Sequence, residues 1–111
     1  MLEIARASYD EFVQRVSDLS PGQLRKLLWL IDEQLDSLDD RLKGLEVAAE
    51  INKMKRHLKE LGEQEYAREQ VRIGEEIKKV LGAKRWYRAK RLYVVMRING
   101  HPTSVLEEVR I

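Results

Sequence analysis

The feature of this sequence that most constrains its fold is a leucine-rich run with alternating steps of four and three residues. It occupies the positions Leu24, Leu28, Ile31, Leu35, Leu38, Leu42 and Leu45. This spacing is the heptad pattern of a helix that packs an apolar seam against another helix. Ser20 and Gln23 have the spacing of a capping box, and Pro21 fits the first helical position, which needs no N–H partner. The sequence therefore predicts a helix that begins at Pro21.

A second apolar seam follows the first and is out of phase with it. Its members are Val47, Ile51, Met54, Leu58 and Leu61. The phase changes near Gly44, and two arrangements satisfy the change. The chain can turn near Gly44, so that two helices form an antiparallel hairpin. Alternatively, one helix continues through Gly44 and pairs with another chain.

Shorter signals complete the helical part of the chain. Ser8 with Glu11 forms another capping box and predicts a helix of about residues 9–18. Gly62 predicts a break or bend, and Gly82 is placed as the C-cap glycine of a helix over about residues 63–81. The expected core consists of Leu24, Leu28, Ile31, Leu35, Leu38, Leu42, Ile51, Met54, Leu58, Leu61, Ile77 and Val80.

The C-terminal stretch has a different composition. The segment RLYVVMRI is β-branched and aromatic, and it is followed by Asn99-Gly100, a strong hairpin signal. This pattern predicts a β-hairpin in which Ile98 faces His101. The competing interpretation of the last residues is a helical turn over residues 104–110, capped by Ser104.

The predicted fold class is therefore mainly α, with three to four helices that form a helical hairpin or coiled-coil-like seam, and with a C-terminal β-hairpin. Residues 1–82 are assigned to a helical oligomerisation region. Residues 83–111 are assigned to a basic hairpin module that packs on it within a single domain. A chain of 111 residues fits one domain of ordinary size.

Three apolar side chains lie off the first seam, namely Leu27, Trp29 and Leu30. The first half of that helix is therefore apolar nearly all round, and a single partner helix cannot cover it. We expect the short N-terminal helix, a second subunit or both to do so. These three residues are accordingly the predicted oligomer interface of a homodimer or higher oligomer.

Composition excludes some classes of protein and site. The chain has no cysteine, which rules out disulfides and thiolate metal ligands. No apolar run is long enough for a transmembrane helix, and the N-terminus lacks the pattern of a signal peptide. A cytoplasmic protein without membrane contact is the expectation.

Catalytic patterns are weak. His57 and His101 are far apart in the sequence, and Asp36 and Asp40, one helical turn apart, are more typical of a solvated helix face than of a cation site. No phosphate loop, nucleophile elbow or zinc spacing occurs. We therefore expect no enzyme activity, no cofactor and no metal.

Charge is distributed unevenly along the chain. Residues 1–50 carry 6 basic and 11 acidic side chains, a net charge of −5, whereas residues 51–111 carry 15 basic and 8 acidic ones, a net charge of +7. Residues 78–97 contain eight basic side chains and no acidic one, with aromatic residues between them. Cations that neutralise phosphates, next to rings that stack on bases, are typical of nucleic-acid binders.

The resulting functional hypothesis is a small non-enzymatic protein that binds DNA or RNA. Its predicted nucleic-acid-binding residues are Lys84, Arg85, Trp86, Tyr87, Arg88, Lys90, Arg91 and Arg97. The alternative is a protein–protein interaction or assembly protein, an adaptor or inhibitor, whose basic patch docks on an acidic partner surface. The same cations could also pair with Asp32, Asp36, Asp39 and Asp40 of the acidic half, within one chain or across a dimer.

Overall fold

The computed structural model describes residues 1–101, which form helices joined by short connections. Their order is α1 (Leu2–Arg6), α2 (Tyr9–Val16), α3 (Pro21–His57) and α4 (Glu63–Ile98). The chain divides into two compact units. Unit 1 contains residues 1–36 and the described residues from Arg85 onward, and unit 2 is Ser37–Lys84.

The predicted helix starts are confirmed at both capping boxes. The backbone N–H of Glu11 donates to Ser8 Oγ at 3.4 Å at the start of α2. At the start of α3, the backbone N–H of Ser20 donates to Gln23 Oε1 at 2.9 Å, and that of Gln23 donates to Ser20 Oγ at 3.3 Å. Helix α1 was not predicted from the sequence.

Helix α3 continues through Gly44, as one of the two predicted arrangements has it, and the alternative of a turn at this position is wrong. The chain reverses instead at residues 58–62, as the signal at Gly62 indicated. Lys59 has a left-handed backbone with φ 60°. Its N–H donates to the carbonyl of Arg56 at 3.0 Å, and the N–H of Glu60 donates to that of Lys55 at 2.9 Å. This pair of bonds is a Schellman motif, which ends α3.

The prediction of a C-terminal β-hairpin is also wrong for the residues that the structure describes. Helix α4 extends through Gly82 to Ile98, so its predicted end at residue 81 is wrong and the first hairpin strand is helical. Residues 1–101 contain no strand. The second strand beyond His101, and the alternative turn over residues 104–110, lie outside the described residues.

Asn99-Gly100 is the end of a helix rather than a hairpin turn. Gly100 has φ 72°. Its N–H donates to the carbonyl of Arg97 at 3.3 Å, and the N–H of His101 donates to that of Met96 at 2.9 Å. This is again the Schellman pattern. A type I′ turn and a left-handed helix cap both need positive φ at glycine, so the dipeptide fits either one.

Unit 1 has a core built by all four helices. Its buried members are Ile4, Ala5, Phe12, Val16, Leu24, Leu27, Ile31, Tyr93 and Val94. The rings of Phe12 and Tyr93 pack edge to face with their centroids 6.1 Å apart. The N-terminal helices and the end of α4 thus cover the apolar start of α3.

In unit 2, the C-terminal part of α3 packs antiparallel on the N-terminal part of α4. Arg41 pairs with Glu76 at 2.6 Å, while Asn52 Nδ2 donates to Gln70 Oε1 at 3.1 Å. Ile73 and Val80 are buried. Ile51, Met54 and Leu58 were predicted in the core but are exposed, because the contacts of α3 with α4 are made by other residues such as Arg41 and Asn52.

Replacing Lys59 by Gly should stabilise the protein by about 0.5–1 kcal/mol. A left-handed conformation costs an L-residue roughly 1–2 kcal/mol, and the greater unfolded-state freedom of Gly offsets part of the gain. Urea denaturation measures the effect, and Lys59→Ala, which removes the side chain alone, is the control. Equal stability of the two variants would contradict the left-handed conformation assigned to Lys59.

Replacing Leu27 by Ala should destabilise the protein by about 2–5 kcal/mol, because it empties a fully buried position of unit 1. Trp29→Ala is the matched control two residues further on. The Trp29 side chain is 59% exposed, so its loss should change stability by about 0.5 kcal/mol or less. Thermal melting of dilute samples distinguishes the two.

Candidate functional site

The basic segment, residues 84–97, is the surface that the sequence singles out, and Lys90 within it is buried. Its ammonium donates to the backbone carbonyls of Ala5 at 2.8 Å and Ala7 at 2.6 Å. It also lies 5.0 Å from the centroid of the Tyr87 ring. Burial lowers the pKa of Lys90. Because the ammonium satisfies carbonyls at the end of α1, the role of Lys90 here is structural.

Three further cations of the basic segment also have partners within the chain. Lys84 is buried and pairs with Asp39. Arg91 Nε donates to Asp32 Oδ1 at 2.6 Å. Arg97 donates to the backbone carbonyl of Ser17 at 3.4 Å. Four of the six predicted phosphate-binding cations are therefore engaged in intramolecular contacts.

The rest of the segment divides into exposed and packed side chains. Arg85 and Arg88 are exposed and one helical turn apart, so they share a face of α4. Trp86, 40% exposed, packs against Tyr9 with ring centroids 5.7 Å apart. Tyr87 is half-buried beside Lys90. The exposed remainder, Arg85, Trp86 and Arg88, is hereafter the basic cluster.

A second surface, in unit 2, is apolar. Val47, Ile51, Met54 and Leu58 are 57%, 46%, 60% and 58% exposed, respectively. Their spacing places Val47, Ile51 and Met54 along one side of α3, and Leu58 follows directly after its end. Asn52, which is buried and bonded to α4, marks a different side of the same helix. These four residues form a contiguous row, hereafter the apolar stripe. Because these exposed apolar side chains are clustered, the stripe is a candidate interaction surface.

A groove of about 430 Å³ adjoins the apolar stripe at Ile51. Its lining residues are Ala48, Ile51, Asn52, Lys55, Leu61, Glu65 and Glu69. Arg72 holds the pKa of Glu69 below its usual range, with a smaller contribution from Lys55. The apolar stripe is thus bordered on this side by a mixed apolar and charged depression.

The predicted interface residues have different surroundings. Leu27 is fully buried in unit 1, Leu30 is half-buried and Trp29 is exposed. Sequence reasoning placed three of the four stripe residues, Ile51, Met54 and Leu58, in the core. The change of phase at Gly44 was the available signal, because one continuous helix with two seams out of phase presents them on different sides.

Metal and membrane sites have no support in the described part of the chain. Within residues 1–101, no three histidine or acidic side chains are grouped so that they could hold a metal ion. No helix among these residues combines the length and apolar character needed to cross a bilayer.

Comparisons with known proteins give no relative. No family model matches the chain, and neither curated proteins nor solved structures give a significant match. The functional interpretation therefore rests on the contacts within the chain itself.

Replacing Lys90 by Met should destabilise unit 1 by about 1–3 kcal/mol, because the carbonyls of Ala5 and Ala7 lose their buried donor. Arg88→Met, which removes an exposed charge from the same helix, is the control and should be nearly neutral. Denaturant unfolding gives the stability, and hydrogen exchange in residues 2–7 shows whether α1 is released. Equal effects of both variants would rule out the capping role.

Proposed function

We propose that this chain is an assembly protein, a protein–protein interaction protein that associates with further copies of itself through the apolar stripe. The observation that carries the proposal is the half-exposed row of Val47, Ile51 and Met54 on α3 and of Leu58 directly after its last residue. Its heptad spacing is the one that packs a helix against a helix. Covering such a row removes apolar surface from water, which favours association.

The surroundings of the apolar stripe support this function. It lies on an α-helix, a rigid support whose side chains keep their spacing on binding. It contains no charged residue, whereas Glu50 and Lys55 beside it carry both signs. A surface with an apolar centre and a mixed charged rim resembles protein interfaces more than it resembles a site for a polyanion.

Nucleic-acid binding is the second candidate, and the basic cluster supports it. Arg85 and Arg88 are exposed in a region of the sequence without acidic residues from position 77 to position 106. Phosphate contacts by the two arginines, with stacking on Trp86, would give binding of modest sequence preference. The burial of Lys84 and Lys90, together with the internal contacts of Arg91 and Arg97, makes this candidate weaker than assembly.

Light scattering over a concentration series tests assembly. We expect the unmodified chain to form an oligomer at micromolar concentration and Met54→Glu to shift it to monomer, because a carboxylate would be placed in the apolar interface. Val71→Glu is the matched control, since Val71 is 65% exposed in unit 2 but lies on α4, outside the stripe. A chain that remains monomeric at high micromolar concentration would refute the proposal.

A gel shift with mixed-sequence oligonucleotides at about 0.1 M salt tests the second candidate, since charges still act over about 10 Å there. The joint change of Arg85 and Arg88 to Ala should abolish binding. The joint change of Lys78 and Lys79 to Ala removes the same charge from the same helix, but these lysines pair with Glu75 and Glu76. Equal losses of binding in both double variants would indicate that binding depends on the total positive charge rather than on Arg85 and Arg88. No shift at tens of micromolar would leave an acidic protein surface as the partner to test.

A further inference from the structure

We infer that the apolar stripe pairs with the apolar stripe of a second copy as a parallel, in-register coiled coil over residues 47–58, with Glu50 of each copy paired to Lys55 of the partner subunit. This inference rests on the proposed self-association and specifies which segment of the second copy is bound. It also fixes the relative direction of the two helices.

The heptad positions of the stripe define the contact. Ile51 and Leu58 occupy a positions, and Val47 and Met54 occupy d positions, because the steps between them are four, three and four residues. In a parallel, in-register pair, each of these residues meets its own counterpart across the two-fold axis. The same four side chains therefore supply both halves of the interface.

The charges beside the stripe determine the direction. Glu50 directly precedes the a residue Ile51 and is a g position, and Lys55 directly follows the d residue Met54 and is an e position. In a parallel coiled coil, a g residue faces the e residue of the next heptad on the other helix. Two symmetric carboxylate–ammonium pairs follow, between Glu50 of each copy and Lys55 of the partner subunit.

An antiparallel pair of the same stripes lacks this complementarity. There, g positions face g positions and e positions face e positions. With Ile51 against Met54 of the partner subunit, Glu50 would lie beside the partner's His57 and Lys55 beside the partner's Ala48. Neither contact joins a carboxylate to an ammonium, so the charge pattern favours the parallel arrangement.

The side chains required for these pairs are accessible. Glu50 has an exposed i,i+3 contact with Lys53 at 3.3 Å, the kind of surface pair that contributes little to stability. Lys55 lines the groove next to Ile51. Both residues can therefore exchange solvent and weak local contacts for contacts with a second copy.

Single cysteines test the direction, because the chain has none of its own. In the parallel arrangement, Met54→Cys brings two thiols face to face, and mild oxidation should convert most of the protein to a covalent dimer on a non-reducing gel. Val71→Cys, exposed but off the stripe, should remain mainly monomeric on the same gel. An antiparallel pair would give little dimer from Met54→Cys alone but would crosslink a mixture of Ile51→Cys and Met54→Cys chains.

Charge reversal tests the ion pairs. Glu50→Lys or Lys55→Glu alone should weaken association several-fold, because like charges then face each other. The double variant should restore most of the original affinity, as sedimentation measures it. Circular dichroism of the dilute monomer controls for altered helix stability. A double variant weaker than either single one would overturn the pairing of Glu50 with Lys55.

The results separate this inference from the proposed function. A monomeric unmodified chain overturns both. An oligomer that dissociates with Met54→Glu but fails to crosslink through Met54→Cys leaves self-association standing and overturns the parallel, in-register arrangement alone.

Discussion

The reversal of the chain at residues 58–62 is the constraint on which the rest of the structure depends. Lys59 takes a left-handed conformation that ends α3, and α4 then returns along the opposite direction. Residues distant in sequence come together as a result. Lys84 pairs with Asp39 in unit 2, and Arg91 pairs with Asp32 in unit 1. Carboxylates of the acidic first half thus pair with cations of the basic second half within each unit.

This internal pairing changes the meaning of a basic sequence. A run of cations is the expected footprint of a polyanion-binding surface, and the segment from Lys84 to Arg97 has this composition. Lys90 and Lys84 are nevertheless buried, one on backbone carbonyls and the other on Asp39. Composition reports how many cations a segment contains, but the topology decides which of them remain available to a ligand.

Local signals predicted part of the fold well. The caps at Ser8 and Ser20 and the break near Gly62 depend on neighbouring residues only, and all three are confirmed. The β-hairpin failed because strand propensity is weaker than tertiary context: the packing of Tyr93 and Val94 in the core of unit 1 accompanies a helix. The sequence identified the basic cluster only as part of the larger set of predicted nucleic-acid-binding residues. It could not separate the cluster from Lys84 and Lys90, because the partners of these two lysines come from distant segments of the chain.

The heptad pattern also explains why the apolar stripe was misplaced. A heptad seam indicates that a helix has an apolar side, but it does not indicate which surface covers that side. The buried residues of unit 2 are Asn52, Ile73, Val80 and Lys84, so two of the four are polar. A buried Asn fixes helix register at a cost in stability, and the apolar side chains that could offset this cost lie outside, in the stripe. Self-association as proposed covers these side chains, and the stability of unit 2 then depends on protein concentration by mass action.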